Sequence, residues 1–181
     1  VDKPELRRSL LAADIDWPGL SPSVADALFE WMARRLPGTV ASYLAMPDEV
    51  DLTGLTERLP GWRWVFPRVE EDRSLTFRDR GVPIEIHRWG MRQPVAGGTS
   101  ISLAEIDLLL VPGIAYTASG WRLGRGGGFY DRVLADRNPS ALAVGVTVAA
   151  RVLGQIPTEP HDVPVDWLAT EAGVTRCAPN S

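Results

Sequence analysis

From Ile106 to Val111 the chain is apolar at nearly every position, and the run leads straight into Pro112-Gly113. Such a segment has both faces buried, which is the condition of an interior strand in a parallel sheet. It is soon followed by Arg122-Leu123-Gly124-Arg125-Gly126-Gly127-Gly128-Phe129-Tyr130-Asp131, in which four of the five residues from Gly124 are glycine. A helical pattern then runs from Phe129 to Asp136. Strand, glycine loop and helix in that order form a unit suited to phosphate. Glycine lets the backbone approach a ligand closely, and the N–H groups that open a helix lack intrahelical partners and carry partial positive charge.

The other expected elements fit around this unit. Pro4 opens a short helix with Leu6, Leu10 and Leu11 at helical spacing, and Pro18-Gly19 breaks it. Ser21-Pro22 caps a second helix to Leu36 that buries Val24, Leu28, Trp31 and Met32. Strands are expected at Thr39–Leu44, Arg63–Phe66 (ended by Pro67), Ala141–Val146 and, last, Val165–Ala169. Leu75–Arg78 and Ile84–His87 read as strands around an Asp79-Arg80-Gly81 turn, and Asp51 caps a helix to Leu59. Strands alternating with helices imply an α/β fold: one domain over residues 1–181, with a mostly parallel, Rossmann-like sheet flanked by helices. Ligands in such folds bind outside the carboxyl ends of the strands.

The loop chemistry is specific in kind. Arg122 and Arg125 can grip phosphate or carboxylate through paired hydrogen bonds. Asp131, one turn into the helix, would repel a polyphosphate unless a cation lay between them, so it is a candidate Mg²⁺ ligand. Without a ligand, the glycines could form only a tight connection and Asp131 could complement the helix dipole, but four glycines are costly in chain entropy for a mere turn. No Lys-Ser/Thr follows the glycines, so this is not a Walker A loop. The G-x-G-G-G spacing is not the dinucleotide fingerprint either.

Composition removes other classes. A net charge of -4 gives no footprint for nucleic acid. No apolar run is long enough to cross a membrane, and Val1-Asp2-Lys3-Pro4 shows no signal-peptide pattern. Cys177 is the one cysteine, which excludes an internal disulfide and makes a cytoplasmic location the expectation. No His/Cys cluster suggests zinc, and no serine has a nucleophile-elbow context. Lys3 is the one lysine among 19 basic residues, hence the one candidate for a flexible ammonium on phosphate.

The segments Val111-Pro112-Gly113 and Arg122–Asp131 resemble the 5-formyltetrahydrofolate cyclo-ligase (5,10-methenyltetrahydrofolate synthetase) family, whose loop reads R-L-G-x-G-x-G-Y/F-Y-D. Lys3-Pro-Glu-Leu-Arg7, Tyr43–Asp51, Trp89–Pro94 and His161-Asp162 with Asp166 fall in the family's order. Thr117 stands where the family usually carries Asp, Gly127 where some members have Lys, and a second N-terminal arginine has no clear counterpart before Arg34. The resemblance implies ATP-driven, Mg²⁺-dependent conversion of 5-formyltetrahydrofolate to 5,10-methenyltetrahydrofolate with ADP and phosphate. The formyl oxygen is first phosphorylated, and N10 then closes the ring.

By the same resemblance, ATP is held by Lys3, Arg7 and the run Arg122, Leu123, Gly124, Arg125, Gly126, Gly127, Gly128, Phe129 and Tyr130. Folate is held by Leu44, Glu49, Trp89, Arg125, Gly126, Gly127, Gly128 and Phe129. Mg²⁺ is held by Asp131 and Asp162, and Arg122, Arg125 and Asp131 are catalytic. Glu49 would accept from the pterin N–H groups, with Tyr43 among the groups sandwiching the ring. His161 could serve general acid–base chemistry or a structural hydrogen bond. A monomer acting on a small-molecule folate is expected. The alternatives are a non-catalytic folate- or nucleotide-binding relative and an unrelated phosphate-binding α/β enzyme.

Overall fold

A computed structural model describes residues 2–178. The helices are α1 (Lys3–Leu11), α2 (Trp17–Ala33), α3 (Leu55–Arg58) and α4 (Phe129–Asp136). The strands are β1 (Thr39–Ala41), β2 (Arg63–Val69), β3 (Leu75–Asp79), β4 (Ile84–Ile86), β5 (Arg92–Pro94), β6 (Leu108–Pro112), β7 (Ala115–Thr117), β8 (Arg122–Leu123), β9 (Leu142–Val146), β10 (Val152–Leu153), β11 (Trp167–Thr170) and β12 (Gly173–Arg176). Seven of them make one sheet in the order β12-β11-β9-β6-β1-β2-β3. The four inner pairings are parallel, and only the two outer strands, β12 and β3, run antiparallel to their neighbours. The expected mostly parallel α/β architecture is therefore what forms.

Period-two alternation in β6 builds a core on each face of the sheet. Leu108 and Leu110 face α2, joining Val24, Leu28 and Met32. Leu109 and Val111 face α4, joining Val133 and Leu134. Full burial of side chains of this size contributes about 1.5–3 kcal/mol each. Two carboxylates pin strand starts: Asp107 accepts from the Thr39 N–H at 2.8 Å, and Asp166 accepts from the Ala143 N–H at 2.7 Å.

Several local expectations are corrected. Pro18 and Gly19 do not break a helix but sit in the first turn of α2, where a proline needs no N–H, under Asp16 as N-cap. Ser21 is consequently inside α2, its hydroxyl donating to the Trp17 carbonyl at 2.7 Å and accepting from the Asp51 N–H. Trp31 is only half-buried, edge-on to Trp167. Asp51 receives Thr53 in a turn, and helix is confined to α3. Pro67 does not end β2. Its nitrogen faces the side of β1, which has already stopped at Ala41, so no ladder bond is lost. β3 and β4 do not form a hairpin. β3 pairs with β2, and β4 with β5, a strand too short and polar for its pattern to signal. β12 follows the strand expected to be last.

β1 continues to β2 on one side, while β6 lies on its other side. The chain thus changes direction of winding at β1/β6, and the carboxyl ends of these two strands flank the crevice where such sheets bind ligands.

Candidate active site

Tyr43, Leu44, Met46 and Glu49 follow β1, and Pro112 and Gly113 end β6. Together with the glycine loop they line a cavity of about 390 Å³ at the switch point. Lys3, Arg7, Trp89, Arg122, Arg125, Phe129, Tyr130, Asp131 and Asp162 line it too. All the expected site residues thus converge on one cavity except Leu123. Its side chain is fully buried below the loop with Ile114, Ala115 and Ile156, where Leu6 and Leu10 of α1 pack against it. Leu123 is a fastening point for α1, not part of the cavity wall.

The loop geometry explains its glycines. Gly126 and Gly128 have φ of 95° and 66°, values that L side chains rarely adopt. A Cβ on Gly124 would lie 2.4 Å from an Arg122 nitrogen. Gly128 caps α4 without a side-chain hydrogen bond, so the first N–H groups of that helix await an acceptor.

Each expected cation has an internal partner. Lys3 Nζ donates to both oxygens of Asp162, at 2.6 and 2.9 Å, and to Glu159 at 2.8 Å. Arg7 donates to the Gly124 carbonyl at 2.7 Å, tying α1 to the loop. Arg122 is buried, donates to Asp131 at 2.8 Å and leaves its Nε without a partner among the described residues. Arg125 reaches across the cavity to Asp48 at 2.6 Å and Glu49 at 3.1 Å. The second Glu49 oxygen accepts from the Met46 N–H at 3.0 Å. Burial opposes the charge on Asp162, but the Lys3 hydrogen bond, the Glu159 N–H and the Lys3 charge outweigh it and hold the carboxyl below its usual value. Burial opposes the Lys3 charge as well, and Asp162 and Glu159 raise it net. Tyr130 has a buried hydroxyl with no partner among the described residues. Burial, then the Glu49 charge, push that phenol up, and Arg122 opposes them.

A carboxylate set of the hard kind Mg²⁺ prefers is present. Glu159, His161 and Asp162 bring ligand atoms within 4.8 Å of one another. Asp131 is not in that group and is committed to Arg122. The residues fit a metal–nucleotide ligand in three respects: free helix N–H groups, glycine space and oxygen donors. His161 is exposed, 3.7 Å from Glu159.

Tyr43 belongs to the wall and also to the core: it is 4% exposed and donates to the Val50 carbonyl at 2.8 Å. Trp89 is 46% exposed and tilted over Phe129 at 6.2 Å. Thr117 is buried and accepts from the Trp121 N–H at 3.1 Å, a turn-forming task. Sequence reasoning gave no role to Glu159, Arg73, Met91 and Arg92, which line the wall, or to Asp48, which holds Arg125 at 2.6 Å. Asp48 and Glu159 had a signal, as neighbours of assigned residues. Met91 and Arg92 lie in the Trp89–Pro94 segment, where only Trp89 was assigned, and Arg73 sits in a turn without pattern.

A switch-point crevice, a glycine turn at a helix start and a ring of cations define an α/β protein built to hold an anionic ligand. The model of the 5-formyltetrahydrofolate cyclo-ligase family matches residues 2–171, and the chain belongs to that family. A 5-formyltetrahydrofolate cyclo-ligase of Mycolicibacterium smegmatis is 30% identical over 190 residues, covering 93% of both chains. The NMR structure of Aquifex aeolicus 5,10-methenyltetrahydrofolate synthetase is similar at a TM-score of 0.82 and 29% identity, covering 99% of this chain and 94% of that one. A 5,10-methenyltetrahydrofolate synthetase from Mycoplasma pneumoniae shares the fold at a TM-score of 0.78 and 23% identity, covering 94% of this chain and 99% of that one.

Proposed function

We propose that this chain is a 5-formyltetrahydrofolate cyclo-ligase that uses Mg·ATP to form 5,10-methenyltetrahydrofolate, with ADP and phosphate released. The observation that carries it is the convergence of Lys3, Arg7, Arg122, Arg125, Glu49, Asp131 and Asp162 on one cavity, together with family membership. Bound Mg·ATP supplies the phosphoryl group that turns the formyl oxygen into a leaving group, so that N10 can close the ring.

The chain's own task is positioning and charge neutralisation, as phosphoryl transfer demands. Gly126–Gly128 and the start of α4 receive the phosphates. Arg122 and Arg125 fix the transferring oxygens, and Lys3 and Arg7 offset the remaining charge. Asp162 and the neighbouring Glu159 would hold Mg²⁺ on one side, and Asp131, on exchanging its Arg122 contact, on the other. Glu49, held in place by Arg125 and the Met46 N–H, accepts from the pterin. Trp89, Phe129 and Leu44 supply flat apolar surface for the ring. One sheet running through the described chain supports a single domain. No described helix is long and apolar enough to cross a membrane; a cytoplasmic monomer acting on a small-molecule folate is part of the same proposal.

The test is near-UV absorbance of protein with 5-formyltetrahydrofolate, with and without Mg·ATP. A rise that needs both ATP and magnesium supports the reading. Thermal stabilisation by either ligand without that rise marks a binding-only relative and overturns it.

A further inference from the structure

A second cavity, of about 800 Å³, adjoins the first and shares Met46, Glu49, Met91 and Arg92 with it. It runs between α2 and the segment after β1, with Trp17, Pro22, Ala25 and Pro47 as apolar wall and Arg58 at its rim. A pterin seated at Glu49 must send the rest of its molecule somewhere, and the shared residues make this groove continuous with that seat.

The charges in the groove are unequally committed. Its carboxylates all have partners inside the protein: Glu49 with Arg125 and Met46 N–H, Asp51 with Thr53, and Asp26 with Arg58 at 2.7 Å. Arg92 is exposed, and among the described residues its guanidinium makes one hydrogen bond, a 3.4 Å contact to the Ala45 carbonyl. Among the described residues it has no carboxylate within ion-pair distance, whereas Lys3, Arg122 and Arg125 each have one. An uncommitted guanidinium where an apolar groove leaves an active cavity suits a ligand that is aromatic and ends in carboxylate.

We propose that this groove is the subsite for the aminobenzoyl-glutamate tail of the folate, with Arg92 as the specificity-determining residue that reads a tail carboxylate. The inference rests on the cyclo-ligase reading and deepens it. The pterin and formyl group lie in the first cavity, the aminobenzoyl ring passes Met91, and the acidic end meets Arg92. A substrate whose glutamate is replaced by an uncharged alkylamide keeps N10 and can still cyclise, but it gives Arg92 nothing to read.

The experiment compares KM and kcat of wild type, Arg92→Ala and Arg92→Lys for 5-formyltetrahydrofolate and for its 5-formyltetrahydropteroyl alkylamide. Arg92→Ala should raise KM for the glutamate substrate about tenfold, the effect of losing one charged hydrogen bond, with little change in kcat. The preference for glutamate over alkylamide should collapse with it and return largely in Arg92→Lys. Gly54 offers an independent variant: it lines the groove, has ordinary φ of -64° and has no atom within 4 Å of an added Cβ. Gly54→Tyr should fold normally, obstruct the tail and raise KM for the glutamate substrate. An equal rise for both substrates in Arg92→Ala, no rise for either, or unchanged KM in Gly54→Tyr overturns the proposal. Equilibrium dialysis of the two folates gives the same comparison without turnover, so failure of the subsite is distinguishable from failure of the catalytic reading.

Discussion

Replacing Lys3 by Met probes how α1, which carries two of the site's four cations, is held in place. The helix has nine residues and buries none of them fully. A helix of that length is marginal on its own, so its docking rests on Leu6 and Leu10 against the Leu123 cluster and on the Lys3 and Arg7 contacts. The side chains of Lys3 and Asp162 are 12% and 8% exposed. At that depth the charged hydrogen bonds are worth about 1.5–3 kcal/mol, while the bond to the solvent-screened Glu159, 55% exposed, adds little. The Glu159 N–H stays on Asp162 at 2.6 Å and limits the penalty of stranding that carboxylate. Loss of about 2–3 kcal/mol is expected, a fall in Tm of roughly 5–10 °C for a chain of this length.

The pH dependence has a definite sign. The folded Asp162 carboxyl lies below its unfolded value, so its contribution is present above about pH 4 and lost as pH falls through the folded pKa. The folded Lys3 ammonium lies above its unfolded value, so its contribution holds below about pH 10.4 and is lost as pH rises through the folded pKa. Thermal unfolding followed by circular dichroism from pH 3 to 9 should therefore show a constant gap between wild type and Lys3→Met from pH 5 to 9, narrowing towards pH 3. A gap below about 0.5 kcal/mol at pH 7, the size of an ordinary surface change, or one unaltered at pH 3, refutes the reasoning.

Gly126→Ala places a Cβ on a backbone at φ 95° and should strain the loop by about 1–2 kcal/mol. Titration calorimetry should show weaker ATP binding while far-ultraviolet circular dichroism stays unchanged. Asp131→Asn keeps the shape of the Arg122 contact but removes its charge. Turnover should drop by about 10²–10³, the scale of losing one electrostatic group in an active site, and the steady-state absorbance assay reads it. Burial, then the Asp166 charge, raise the Cys177 thiol to about 11, so roughly one molecule in a thousand is thiolate at pH 8. Mass spectrometry should find it alkylated far more slowly than a free thiol of pKa ≈ 8.5, and catalysis untouched by the modification.

The sequence exposed those features in which one residue type has one physical use. A run such as Leu108–Val111 suits only a strand covered on both faces, and it is central. A glycine cluster before a helix suits only close approach, and it forms the cavity floor. Residues with several uses were misread. Pro18 can stop one helix or start another, and Asp16, which caps α2, decided for starting. Pro67 can end a strand, or sit within it where the neighbouring strand has already ended. The pairing of β4 with β5, and with it the placement of Arg92, depends on contacts far apart in sequence that no local pattern encodes.

The cations around the cavity also explain why the expected residues alone understate the design. Lys3, Arg7, Arg122 and Arg125 each rest on an oxygen of the protein itself. A phosphate arriving at the loop competes with those oxygens, so binding gains less than four bare cations would offer. The compensation is orientation: guanidinium groups already fixed by Asp131, Asp48 and Glu49 would need little rearrangement as charge shifts during the proposed phosphoryl transfer. The acidic partners therefore matter as much as the basic residues. Asp48, which lies in the Tyr43–Asp51 segment but was given no role there, holds Arg125 through the shorter of that residue's two contacts. Removing its carboxylate should free Arg125 to swing, strengthening simple anion binding while slowing the chemical step.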